Sequence, residues 1–329
     1  MSGARAVTLR AKAADIASVA PEIGPVAMPR AGAGEVVVEI EAAGVNPSDA
    51  KAAIGMMPYA VWPRITGRDY AGRVVEGPAE WLGADVFGSS GDLGIKRDGT
   101  HTTHLRVEAD ALVRRPPAMT AEEAAGVGVP FVTAWEGFTR AGLPERGDTV
   151  VVLGANGKVG QAAIQIATWR GARAIGVVRR DEPYSGHASA APAMIDASKE
   201  DVGARVRELT DGRGAEIVYN TVGDPFYAQG VASMAKGGRQ IFISAVKKIV
   251  EFDIFAFYRG KHVYVGVDTI SLSSVRTGAI LRALLPGFAG GHLKPYPIRA
   301  EARYPLDRAA DALKAVLASA RDRVLLLPR

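Results

Sequence analysis

Apolar positions along the chain change rhythm twice. From Glu35 to Glu41 they alternate with polar ones, which predicts a strand with one buried face, and Tyr70–Val75 and Asp85–Gly88 predict two more. Gly, Pro and Asp separate these runs, a texture that suits a small β-barrel better than a helix-covered sheet. Between the first two runs, Gly44-Val45-Asn46-Pro47-Ser48-Asp49 is turn-prone, and Ser48 or Asp49 can cap a short helix through Ala53. Thr120-Ala121-Glu122-Glu123 is a capping box opening an alanine-rich helix, and a second helix is expected from about Phe131 to Ala141.

From Thr149 onward strands and helices alternate. Thr149–Leu153 is an unbroken β-branched and apolar run, the pattern of a strand covered on both faces. Gly154 opens a tight turn. In Asn156-Gly157-Lys158-Val159-Gly160 the glycines let backbone approach a pyrophosphate and let the next helix pack on the strand. Val159, Ala163, Ile166 and Ala167 recur at helical spacing, and Gly171 closes that helix. A second strand, Ala174–Val178, runs into Arg179 and Arg180. Strands over Ala193–Asp196, Glu216–Tyr219, Arg239–Ser244 and His262–Val267 then interleave with helices over Val202–Leu209 and Phe226–Met234. The fold class this predicts is α/β, a doubly wound parallel sheet. Ser185–Ala193 reads as a mobile, small-residue loop. Helices over Val275–Gly290 and Asp307–Ala320 precede an apolar Val324–Leu327, expected to return as a strand to the first domain.

A chain of 329 residues, 48% hydrophobic and 23% charged, has room for two cores. It contains no cysteine, which excludes disulfides, thiolate metal sites and cysteine nucleophiles. The net charge of +5 is scattered, with no basic block or aromatic-interleaved stripe, so an anionic cofactor or substrate explains it more simply than nucleic acid, and a slightly basic surface more simply still. No apolar run has the length of a membrane span, and no signal-peptide core stands at the N-terminus; the expected location is cytoplasmic.

The chemistry follows from the second strand's exit. An NAD site usually presents an acid there, whereas this chain presents Arg179 and Arg180, with Asp181 only afterwards. Two guanidiniums suit a 2′-phosphate, and the expected cofactor is NADPH; a solvated basic strand end is the alternative. Asn220 and Ser244 end two successive strands, where ligands gather; loop capping is the alternative for both. Lys158 can reach a phosphate or face solvent. His101 and His104 point to opposite faces of an expected strand, which argues against a metal between them.

On several motifs the whole chain resembles one family. Ala43-Gly44-Val45-Asn46-Pro47-Ser48-Asp49, Gly67-Arg68-Asp69-Tyr70-Ala71-Gly72, Gly99-Thr100, Val132-Thr133-Ala134-Trp135 and Gly157-Lys158-Val159-Gly160 are similar to motifs of the medium-chain dehydrogenase/reductases. The match is to their zinc-independent quinone oxidoreductase and enoyl-thioester reductase branch. The resemblance implies a GroES-like β-barrel domain from residues 1–123 and 270–329, a Rossmann domain from 124–269, and a cleft for nicotinamide where they meet. Zinc-dependent members carry a cysteine where this chain has Asn46 and a histidine-glutamate pair where it has Arg68 and Asp69. That departure points toward metal-free hydride reduction of activated C=C bonds or quinones. The substrate classes implied are enones, quinones and enoyl-thioesters. An enoyl-CoA reductase, or a cofactor-binding protein with little catalysis, stands as the alternative.

The resemblance places Asn46 near the nicotinamide, although Asn-Pro is also turn chemistry, and Thr133 near its ribose, although a helix hydroxyl can equally bond its own turn. Relatives assign a proton-donating or orienting tyrosine where this chain has Met57; Tyr59, two residues on, is the candidate substitute, with bulk water as the other source. Arg68 and Asp69 are expected to form a structural ion pair or to line the cleft. Tyr258 and Arg259 are expected at the substrate mouth or on the surface. In this family the strand around His262–Val267 lies at a sheet edge and pairs across a two-fold axis, which implies a homodimer.

Overall fold

The computed structural model describes residues 3–318 and 322–328. The N-terminal runs become β1 (Ala4–Leu9), β2 (Glu22–Val26), β3 (Glu35–Gly44), helix α1 (Pro47–Ala53), β4 (Arg64–Ile65), β5 (Asp69–Glu76), β6 (Asp85–Ser89), β7 (His104–Glu108) and β8 (Val113–Arg114). The N-cap of α1 is Asn46, not Ser48 or Asp49, and Pro47 takes the first helical position, where its missing N–H costs nothing. Asp49 supports the cap from inside the helix, its Oδ2 accepting the Asn46 N–H at 2.7 Å. His101 precedes β7 instead of lying on it, so strand alternation does not govern its direction.

Helix α2 (Ala121–Ala141) is one helix where two were expected. The capping box forms: Thr120 N–H donates to Glu123 Oε2 at 2.8 Å and Glu123 N–H to Thr120 Oγ1 at 3.2 Å. Pro130 lies inside the helix without ending it. A proline has no N–H for the carbonyl four residues back, here Gly126, and that carbonyl takes Arg323 Nε at 2.7 Å instead.

The alternating region gives β9 (Thr149–Leu153), α3 (Lys158–Trp169), β10 (Arg173–Val178), β11 (Ala193–Asp196), α4 (Val202–Leu209), β12 (Ala215–Asn220), α5 (Tyr227–Ser233), β13 (Met234–Phe242), α6 (Ile254–Gly260) and β14 (Val263–Gly266). Its six strands are all parallel, in the order β11-β10-β9-β12-β13-β14. Strand order therefore reverses between β9 and β12, the place where such sheets open a crevice at their carboxyl ends. Val151, Leu153, Ile175, Val177 and Val218 centre the core of this sheet.

Parallel neighbours usually need a helical crossover, yet the stretch from 179 to 192 joins β10 to β11 as irregular chain. It is not the free loop expected from its small residues. Ser189 N–H donates to Thr168 Oγ1 at 3.1 Å, Tyr184 Oη donates to the His187 carbonyl at 3.0 Å, and Ser185 is held by Asn156.

Helix α7 (Ser274–Ala289), β15 (Arg303–Pro305), α8 (Ala309–Leu317) and β16 (Leu325–Leu327) complete the chain. β16 pairs antiparallel with β3 (Leu325 to Gly44, Leu326 to Ala43), so the apolar tail does return to the first sheet. That sheet runs β15-β16-β3-β5-β6-β8, with β7 also paired to β3. Ser319 and Ala320, at the end of the helix expected over Asp307–Ala320, lie outside the described residues. Two compact units result: Met1–Val132, Thr269–Leu285 and Pro295–Arg329 in one, Thr133–Asp268 and Pro286–Lys294 in the other. Among the described residues no helix is long and apolar enough to cross a membrane.

Candidate active site

In the barrel unit the site grows from the turn between β3 and α1. Asn46 is buried there, and its Nδ2 donates to Asp69 Oδ2 at 2.8 Å. Asp69, on β5, is fully buried and pairs with Arg323, whose Nη2 lies 2.8 Å from the same oxygen. Asp69 Oδ1 accepts the Val129 N–H at 2.9 Å, while Arg323 also donates to the carbonyls of Gly126 and Val45. One buried ion pair thus fixes three things: the break in α2 at Pro130, the end of the turn at Val45, and the orientation of the Asn46 amide. The ion pair expected between Arg68 and Asp69 is replaced by this one. Arg68 instead donates from Nε to the Ser90 carbonyl at 2.8 Å, from Nη1 to Ser48 Oγ at 3.2 Å and from Nη2 to the Thr269 carbonyl at 3.3 Å.

Two titratable groups under this turn are strongly perturbed. Burial pushes the Asp49 carboxyl up to about 7, against the pull of Arg68; its Oδ1 has no hydrogen-bond partner. His101 is pushed down to about 4 by burial, and its ring nitrogens meet Thr66 Oγ1 at 2.8 Å and the Gly44 carbonyl at 3.3 Å. Burial therefore keeps it a neutral core histidine near neutral pH, although the bond to the Gly44 carbonyl pulls the other way. Tyr59 lies half exposed, with the Lys96 ammonium 4.7 Å above its ring, a cation–π contact. Met57 packs on Ala52, Ile95 and Ile270.

In the other unit, β9 delivers the chain to Gly154, whose φ of +86° needs glycine. Helix α3 begins at a glycine N-cap, Gly157, with no side chain to satisfy its first-turn amides, the condition that favours an anion. A Cβ on Gly160 would overlap the Gly154 carbonyl, so this glycine brings helix and turn together. Lys158 and Val159 are half-buried in the first turn. Arg179 and Arg180 emerge exposed from β10.

The remaining candidates sit in this unit, and the side chains of Asn156, Asn220 and Ser244 are engaged by protein. Asn156 Oδ1 accepts from the Ser185 N–H at 3.0 Å, and its Nδ2 donates to the Pro183 carbonyl at 3.0 Å. Asn220 Oδ1 accepts the N–H groups of Val222 and Gly223 at 3.0 and 2.7 Å, the turn-capping geometry of asparagine. Ser244 lies two residues beyond β13 and donates to the Thr221 carbonyl at 2.9 Å. Thr133 is buried on α2, and its carbonyl accepts the Tyr219 hydroxyl at 2.7 Å. Tyr258 and Arg259 fall on α6, with Tyr258 exposed.

Known proteins match both units. Residues 32–117 match the alcohol dehydrogenase GroES-like domain, and residues 159–281 match the zinc-binding dehydrogenase family. A fission yeast (Schizosaccharomyces pombe) zinc-type alcohol dehydrogenase-like protein is 38% identical over 278 residues, covering 83% of this chain and 82% of that protein. The chain belongs to the medium-chain dehydrogenase/reductase family. A second relative, the acryloyl-coenzyme A reductase of Metallosphaera sedula, is 28% identical over 68% of this chain and 73% of that one. The crystal structure of an alcohol dehydrogenase superfamily protein from Novosphingobium aromaticivorans superposes with a TM-score of 0.85 at 26% identity, over 99% of this chain and all of the other.

As a medium-chain dehydrogenase/reductase the chain is an oxidoreductase, and the family name of its second match raises the question of zinc. The donors at the positions in question do not suit that metal. They are an amide, a guanidinium and a carboxylate already held by a second guanidinium, and the sequence has no cysteine. A nicotinamide dinucleotide fits the residues present better: an uncapped helix start after β9 and two exposed arginines after β10 complement its phosphates. Sequence reasoning missed Arg323. It acts on Asp69 from 254 residues away, and its local signals were slight: a proline inside a helical run and one cation abutting an apolar tail.

Proposed function

We propose that this medium-chain dehydrogenase/reductase is an NADPH-dependent, metal-free reductase of activated C=C bonds or quinones. The observation that carries the reading is the Asn46 amide, held by the buried Asp69–Arg323 pair where a zinc-dependent relative would place its ligands. When bound, NADPH supplies the hydride. The α3 start, with Gly157, Lys158, Val159 and Gly160, is assigned to the pyrophosphate, and Arg179 and Arg180 to the 2′-phosphate. Thr133, Asn156, Asn220 and Ser244 shape the same crevice mainly through backbone they hold in place. One Asn46 N–H is committed to Asp69; the second is assigned to the acceptor's carbonyl oxygen, where it supports the negative charge of an enolate. A preoriented donor in a buried site is worth more than one in water, because no solvent must reorganise around it. The proton for carbon comes from Tyr59 or from water reaching it. The coenzyme A-thioester relative makes acyl-thioesters the first acceptors to try.

The test is oxidation of NADPH and NADH with crotonyl-CoA, benzoquinone and a simple enone offered separately. Turnover with one acceptor and a preference for NADPH is expected. Arg179→Ala with Arg180→Ala should raise the KM for NADPH on the order of tenfold and leave NADH unchanged. Cofactor binding without reduction of any acceptor would sink the enzymatic reading in favour of a binding protein.

A homodimer through the outer edge of β14 is the proposed assembly. Val263 on that strand, and Ile254 and Phe255 on α6, are exposed apolar side chains. Val263→Asp is expected to sediment as a monomer; a wild type that is itself monomeric would refute the proposal.

A further inference from the structure

The carboxyl ends of β10 and β11 hold more charge than two arginines. Asp181 directly follows Arg180, and β11 brings Lys199 back beside it. The Lys199 ammonium lies 2.7 Å from Asp181 Oδ2 and 3.5 Å from Asp196 Oδ2. Asp196 has other commitments, its Oδ1 accepting the Ser198 N–H at 2.9 Å and the Ser198 hydroxyl at 2.7 Å. Asp181 has a side chain 80% exposed, and its contact with Lys199 ties together the exits of two neighbouring strands.

An acid just past the second strand of such a sheet is the group that recognises the 2′-hydroxyl of NADH. Asp181 stands three residues beyond the end of β10, behind the two arginines, on an exposed turn at the same strand exit. A cation clamped on its carboxylate takes it out of use. A 2′-phosphate carries close to two negative charges and three acceptor oxygens, and competes for the same ammonium better than a carboxylate does.

We propose that Lys199 determines cofactor choice, masking Asp181 from the ribose hydroxyl of NADH and passing to the 2′-phosphate of NADPH as the third cation of that subsite. The inference rests on the assignment of Arg179 and Arg180 to that phosphate. Asp181 then serves as a resident anion that keeps Lys199 positioned until the phosphate displaces it. Both side chains are exposed, so their substitution leaves the fold intact.

Calorimetric binding of 2′,5′-ADP and 5′-AMP tests this without turnover. The wild-type protein should prefer 2′,5′-ADP. Lys199→Ala should weaken 2′,5′-ADP about three- to fivefold, the range of one exposed ion pair, and tighten 5′-AMP. Asp181→Asn should tighten 2′,5′-ADP by a similar factor of about three. If Arg179→Ala with Arg180→Ala abolishes the preference while Lys199→Ala leaves it unchanged, the Lys199 proposal is overturned and the NADPH assignment stands. If the wild-type protein shows no preference, both fall.

Discussion

Arg323→Met is expected to destabilise the barrel unit by about 3–5 kcal/mol, the usual loss when one partner of a buried ion pair is removed. The loss is large because the Asp69 carboxylate is left as a buried charge without its cation, its Oδ2 keeping only the Asn46 amide, and the carbonyls of Gly126 and Val45 lose their donor. The Gly126 carbonyl is the one Pro130 cannot serve, so α2 loses the side chain that bridges its break. Urea unfolding of Arg323→Met, Asp69→Asn and the double variant separates the pair from its surroundings. The double variant should be more stable than Arg323→Met, since it removes the buried charge left alone. A loss under about 1 kcal/mol in Arg323→Met would contradict the role given to the pair. In the same variant kcat should fall, because the Asn46 amide shares its anchor oxygen with Arg323.

The second large effect is a pair of opposed pH dependences. The buried Asp49 carboxyl titrates near 7 in the fold, against about 4 when unfolded. Between those values the folded state holds a proton that the unfolded state has released, so this group lowers stability as pH rises. His101 does the reverse. Its folded value near 4 lies below the unfolded value of about 6.5, so the unfolded state binds the extra proton and stability falls as pH drops through that window. In the wild-type protein the two slopes offset each other between about pH 4 and 6.5. Asp49→Asn should expose the histidine's slope, losing about 3 kcal/mol more than wild type on acidification across that range. His101→Gln should show the carboxyl's slope, with stability falling as pH rises from about 4 to 7. Unfolding midpoints measured at several pH values, as differences from wild type, check both signs; parallel curves would refute the burial argument.

What the sequence made legible was whatever depends on neighbours along the chain. Strand β9, the glycine turn and α3 could be read because alternation, turn chemistry and helical spacing are local. The Thr120 capping box formed as written because its partners are three residues apart. Departures arose where distant residues decided the outcome. Pro130 reads as a helix boundary until Arg323 is known to complete the stranded carbonyl. Asp69 reads as a partner for adjacent Arg68, whereas Arg323 claims the carboxylate and Arg68 turns to the Ser90 carbonyl, Ser48 and the Thr269 carbonyl. The loop after Arg180 reads as mobile from its small side chains, and is held by Asn156 and Thr168 from α3 and the turn before it.

That last restraint bears on how cofactor preference can be transplanted. Because Asn156 spends its amide on Pro183 and Ser185, the phosphate turn and the crossover form a single unit of inheritance. A graft of the arginine-bearing segment alone into a relative would arrive without its clamp, and a graft of the glycine turn alone would leave an unsatisfied asparagine. Residues 154 to 187 are held to one another by these bonds, and on the proposed assignments the module for exchanging nucleotide specificity runs on to Lys199, whose ammonium meets Asp181.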